Sequence, residues 1–218
     1  MTEWANIVAC LIVFALYELY IRWVTSRTPM KTARSAHAAI RSNWVKSVMS
    51  RRGTEILVVQ TLRNSVMAAS FMATTAVLAL SATLTLAGVG SPKNELWQSA
   101  RAGNSESIVF AAKLLLLAGS FFISFLFMAM AVRFFNHVAY LITSDAGLDE
   151  STRKQALAIA YLNRAGHYYS YGLRAFFACI PFLAGLFSSF LMLPATLVLI
   201  LILHWFDRVP SSEQDSQH

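Results

Sequence analysis

Four long apolar runs, residues 4–24, 60–89, 108–132 and 175–205, decide what this chain can become. A hydrocarbon core of about 30 Å takes roughly 20 apolar residues of helix to cross, and each run is long enough. The expected fold is an all-α integral membrane protein: a bundle of four transmembrane helices, with helices extended into the cytoplasm and an amphipathic helix between spans one and two. Composition agrees, since charged residues make up 13% of the 218 positions, against about 25% in soluble domains. The first run is longer than a secretory h-region, and Glu3 stands where a basic segment would belong, so it is read as a retained span.

Lysine and arginine set the orientation, because short loops rich in them stay in the cytoplasm. Residues 25–55 carry Arg27, Lys31, Arg34, Arg41, Lys46, Arg51 and Arg52 against Glu55, and residues 133–173 carry Arg153, Lys154 and Arg164. Between spans two and three, Lys93 and Arg101 balance Glu95 and Glu106. Both termini are then expected to be extracytoplasmic in a multi-pass protein of the cell membrane, with one membrane domain over 1–207 and a polar tail over 208–218. The net charge of +7 lies mostly in this asymmetry. It suits the anionic headgroups of the inner leaflet and argues against nucleic acid.

In the first basic segment Ala33, Ala36, Ile40, Trp44 and Val48 share a helical face, with Lys31, Arg34 and Arg41 across from it. Lys31, Arg34, Arg41 and Trp44 therefore form a candidate membrane-surface helix, with packing on the ends of the bundle as the alternative. A second cytoplasmic helix should begin near Thr152, which has capping-box spacing to Gln155, and run towards the fourth span. Helical pattern over 55–87, 107–142 and 173–206 implies rods of about 50 Å, which must tilt, kink or project. Pro181 and Pro194 are the kink points.

Polar residues gather at one end of the spans. Glu18, Gln60, Arg63, Asn64, Arg133, Asn136, His137 and Arg174 reach similar depth from four helices. Charge near hydrocarbon needs a partner, so Glu18 should meet one of the three arginines, leaving positive charge for a lipid phosphate, a carboxylate or an inorganic anion. The bland alternative is inner-leaflet anchoring plus one interhelical salt bridge. Lys113 is a second intramembrane charge, and a pair with Asp207 is geometrically possible.

No catalytic, cofactor or metal site is indicated. HExxH, GxSxG and GxxxxGK[ST] are missing, Cys10 and Cys179 read as packing residues, and the histidines do not pair at one depth for haem. A lipid-acting enzyme with His137 or His167 as base would need an acidic companion such as Asp145 or Glu18.

The stretch from Ile56 through Gln60, Arg63, Asn64 and Met67 to Thr75 resembles the signature of an uncharacterised membrane family, domain of unknown function 599. Arg133-Phe-Phe-Asn136 and Gly172-Leu-Arg174-Ala-Phe-Phe-Ala178, leading to Pro181, are similar to later parts of its pattern. The resemblance covers about residues 8–207 and implies a four-span membrane protein without supplying a substrate, cofactor or reaction.

Two functions follow as expectations. One is an oligomeric channel or transporter-like protein whose arginine-rich inner layer binds an anion or headgroup. The other is a non-catalytic scaffold or accessory subunit recruiting a membrane-protein partner through its basic cytoplasmic helices. Expected partners are thus the lipid bilayer, further copies of the chain or a second membrane protein, with no nucleic acid and no cofactor.

Overall fold

The computed structural model describes residues 2–27, 33–51, 53–88, 94–144 and 151–207. Lys31, Asp145, the side chain of Arg34 and the polar tail 208–218 lie outside the described residues. The described residues hold α1 (Thr2–Arg27), α2 (Ala33–Met49), α3 (Glu55–Leu86), α4 (Glu95–Arg101), α5 (Ser105–Thr143), α6 (Ser151–Phe177), α7 (Cys179–Phe187) and α8 (Ser189–Phe206), and no strand.

Five stretches, not four, are long and apolar enough to cross a membrane: Glu3–Thr25, Glu55–Leu86, Ser105–Thr143, Ser151–Phe187 and Ser189–Phe206. The extra one comes from residues 175–205, which form two helices where one was expected. Ser188 is extended, with φ −158° and ψ 132°, and the chain reverses there. The backbone groups freed at such a break need polar partners. Lys113 Nζ donates to Ser189 Oγ at 2.8 Å, and Asn6 Nδ2 donates to the Ser189 carbonyl at 3.2 Å. Gly185 lets the two legs approach, since a Cβ there would sit 3.1 Å from Met192 Sδ. Pro181 acts earlier and more mildly, because its missing N–H loosens the turn at Ala178 between α6 and α7 while the two remain one continuous stretch.

The central packing is α3 on α5 and α5 on α6. Leu62, Ala69, Ala76 and Thr83, spaced by seven, are all buried along α3. This narrow stripe of mostly small residues lets α5 come close. Against α6, α5 presents an aromatic ladder: Phe134 stacks on Tyr168 at 5.4 Å, Phe127 meets Tyr171 at 5.8 Å and Phe121 meets Phe176 at 5.6 Å. Numbers fall on one helix as they rise on the other, so the two run antiparallel. Ser124 Oγ donates to the Gly172 carbonyl at 2.9 Å in the same seam.

At the end of α3, Gly88 has φ +63° and a Cβ there would lie 1.6 Å from Asn94 Nδ2, so only glycine fits. Asn94 then caps α4 by accepting from the Leu96 N–H at 2.9 Å.

The expected surface helix packs differently from its sequence pattern. α2 lies on α6 with Val45 and Val48 buried, while Ile40 stays 53% exposed. Arg41 turns inward instead of lying across from the packed face. Its Nε donates to Asn163 Oδ1 at 3.1 Å, and its guanidinium covers Gly166, where a Cβ would come within 2.6 Å of Arg41 Cζ. Burial works against the charged form and lowers the Arg41 pKa. The reason for the altered phase is Gly166 beside Asn163, which offers both a slot and an acceptor on α6.

Candidate functional site

Arg174 is the most deeply placed charge of the expected polar layer, with a side chain only 7% exposed. Its NH1 donates to Glu18 Oε1 on α1 at 2.5 Å, and its NH2 donates to Asp207 Oδ2 just past α8. Tyr17 Oη also donates to Asp207 Oδ2, at 2.9 Å, and the Tyr17 ring centre lies 5.9 Å from Arg174 Cζ. Three helices distant in sequence are thereby tied at one point. A buried ion that loses one partner leaves an uncompensated charge, which is why such a node resists dismantling.

The charge count differs from the expected one. Three arginines were expected to face one carboxylate, whereas two carboxylates here face one guanidinium. Arg63 and Arg133 are exposed and form no ion pair among the described residues. Gln60, Asn136 and His137 are exposed as well, with the His137 ring 6.1 Å from Tyr161. Helical phase explains the dispersal. Ala131, Phe135 and Val138 turn α5 towards the core, which directs Arg133, Asn136 and His137 to the opposite face.

Lys113 pairs elsewhere than with Asp207. Its Nζ lies 3.2 Å from Glu3 Oε2, and with Ser189 and Asn6 it makes a second polar cluster. The clusters sit near opposite ends of α1, at Glu3 and at Tyr17 and Glu18. The chain's Glu3 end and its Asp207 end therefore lie at opposite ends of the bundle, because the chain reverses at Ser188. Sequence reading missed Asp207 as Arg174's partner. The signal was the Ser188-Ser189 pair inside the apolar run.

Two cavities adjoin the node. One, of about 740 Å³, lies between α1 and the α5, α6 and α7 surface, and its wall includes Phe14, Glu18, Arg22, Phe127, Tyr171 and Arg174. The other, of about 980 Å³, is a cleft among α2, α3, α6 and the end of α8, with Trp44, Asn64, Tyr169, Phe206, Asp207 and Arg174 on its wall. Arg174 belongs to both. Cys10 and Cys179 are buried free thiols in one apolar cluster beside the first cavity. Among the described residues, no group of three or more His, Cys, Asp or Glu side chains is placed to hold a metal ion.

A family model described as protein of unknown function, DUF599, matches residues 5–212. The chain belongs to the DUF599 family. That match takes in the Glu18–Arg174–Asp207 node and both cavities, and of the second polar cluster all but Glu3, so the site of this DUF599 protein lies within what the family pattern covers. Neither the curated proteins nor the solved structures gave a match.

Proposed function

We propose that this DUF599 protein is a non-catalytic carrier of the cell membrane. In this reading a lipid headgroup passes between the cavity beside α1 and the cleft beneath α2, with Glu18, Arg174 and Asp207 as the charged partition between them. One observation carries the reading: Arg174 is a wall residue of both spaces and is clasped by a carboxylate on each side. Ionisable groups inside a membrane are expensive, and they mark solute pathways when they line cavities. The charge sum of the partition is negative by one, so the expected anion layer becomes a gate that an anion would pass only beside other cations, such as Arg22.

The chain then crosses five times. α2 and its basic segment lie in the cytoplasm, the Glu3 end lies outside and the Asp207 end lies inside. The test is transbilayer movement of fluorescent lipid analogues with anionic, neutral and cationic heads in proteoliposomes. Protein should accelerate at least one class over empty vesicles, and Arg174→Gln should change that rate. Equal rates with and without protein would remove the carrier reading.

The rival, a scaffold recruiting a partner through its basic cytoplasmic helices, draws support from α2, where Ile40 and Lys46 are both exposed. A foreign subunit co-purifying in fixed stoichiometry would favour it.

A further inference from the structure

The cavity beside α1 has a wall that selects one kind of molecule. Leu11, Phe14, Leu115, Ile123, Phe127 and Phe182 make most of it apolar and aromatic. Glu18 and Arg174 satisfy each other. Arg22, one turn beyond Glu18 on α1, is exposed and is the wall's one cation without an ion pair among the described residues.

Shape agrees with charge. The wall follows α1 from Cys10 to Arg22, a rise of about 18 Å. That is close to half the roughly 30 Å hydrocarbon thickness, the reach of one acyl chain. A volume of about 740 Å³ falls within the range of small-ligand pockets, roughly 300–1,000 Å³. α1 packs along α8 more than on α5, so the slot between α1 and α5 opens sideways.

We infer that this cavity binds a single-chain amphiphile with an anionic head, the tail lying along α1 towards Cys10 and the head at Arg22. This rests on the carrier reading for its purpose but is measured by binding alone, so failure of movement and failure of binding are distinguishable.

Gly119 lies on the cavity wall, and a Cβ there meets nothing within 4 Å, so the side chain of Gly119→Phe starts into open space and is expected to fill the cavity, with an unchanged unfolding midpoint as the check that the fold is spared. Full-length protein in phosphatidylcholine nanodiscs is photolabelled with a diazirine derivative of palmitate, and the adducts are mapped by mass spectrometry. Adducts should concentrate on Leu11, Phe14, Leu115 and Ile123 and saturate. Gly119→Phe should abolish that saturable part. Arg22→Gln should weaken it about tenfold, the change that about 1.4 kcal/mol gives, and should leave labelling by the matching neutral alcohol unchanged. Competition by palmitate or by lysophosphatidylglycerol distinguishes a fatty acid from a lysolipid as the source of the anion. Preferential competition by hexadecyltrimethylammonium would overturn the inference. So would adducts spread equally over the exposed Phe71 and Leu78 of α3, or labelling indifferent to Gly119→Phe.

Discussion

Arg174 and Asp207, 33 residues apart, are joined by an ion pair that ties the last turn of α6 to the end of α8 and so closes the hairpin that turns at Ser188. Glu18 makes the same guanidinium hold α1, so one side chain fixes the position of two otherwise lightly buried helices.

Removing Arg174 should therefore cost more than removing either acid. Arg174→Met leaves Glu18 and Asp207 facing each other without a cation, and a loss of about 3–5 kcal/mol is expected. Glu18→Gln or Asp207→Asn leaves one full pair and should cost about 1–3 kcal/mol. Thermal unfolding in one detergent, compared across the three variants, checks the order.

The other end of α1 is held by Lys113, 5% exposed, through Glu3 and Ser189. Lys113→Met should loosen α1 and expose Cys10, which packs at 3% exposure. In a Cys179→Ser background, maleimide labelling of Cys10 should accelerate by about tenfold, the effect of roughly 1.4 kcal/mol on local opening. Combining Lys113→Met with Glu3→Gln should add little, because both break one contact.

At the hairpin, Gly185→Val should destabilise by about 1–3 kcal/mol. Even the first carbon of the new side chain would lie 3.1 Å from Met192 Sδ, and valine adds two methyl groups beyond it. Met192→Ala in the same chain should restore part of the loss, and unfolding midpoints of the single and double variants measure it.

The fifth crossing is open to a direct check. Trp205, 73% exposed, lies on the outer face of the membrane if residues 175–205 are one span, and at the inner face if the chain reverses at Ser188. In a cysteine-free background, Trp205→Cys should resist an impermeant maleimide in intact cells and react after lysis. Glu95→Cys on α4 should react in both.

The apolar helices were legible in the sequence because length and hydropathy decide them, and so was the meeting of Glu18 with an arginine, because an intramembrane charge needs a counter-charge. Hydropathy alone carries neither helical phase nor register: Arg63, Arg133 and His137 turn to outer faces, and the pairings of Phe134 with Tyr168 and of His137 with Tyr161 put Arg133 and His137 turns away from Arg174. The turn at Ser188 was hidden because its stabilising partners, Lys113 and Asn6, come from helices far away in sequence. Arg41 misled for a similar reason: a guanidinium reads as a solvated group unless Gly166 and Asn163 are known to lie beneath it.

The Glu18–Arg174 contact joins residues 156 apart, with Glu18 made first. At about 5–20 residues per second, roughly 8–30 s pass before its counter-charge exists, and Asp207 follows later still. During synthesis α1 is therefore an acid-bearing segment awaiting its arginine, and its final depth is settled only when α6 arrives. A lone carboxylate in an early span is costly until it is paired, so a shortage of whatever shelters it at the insertion site should deplete this chain before it depletes membrane proteins whose early spans carry no charge.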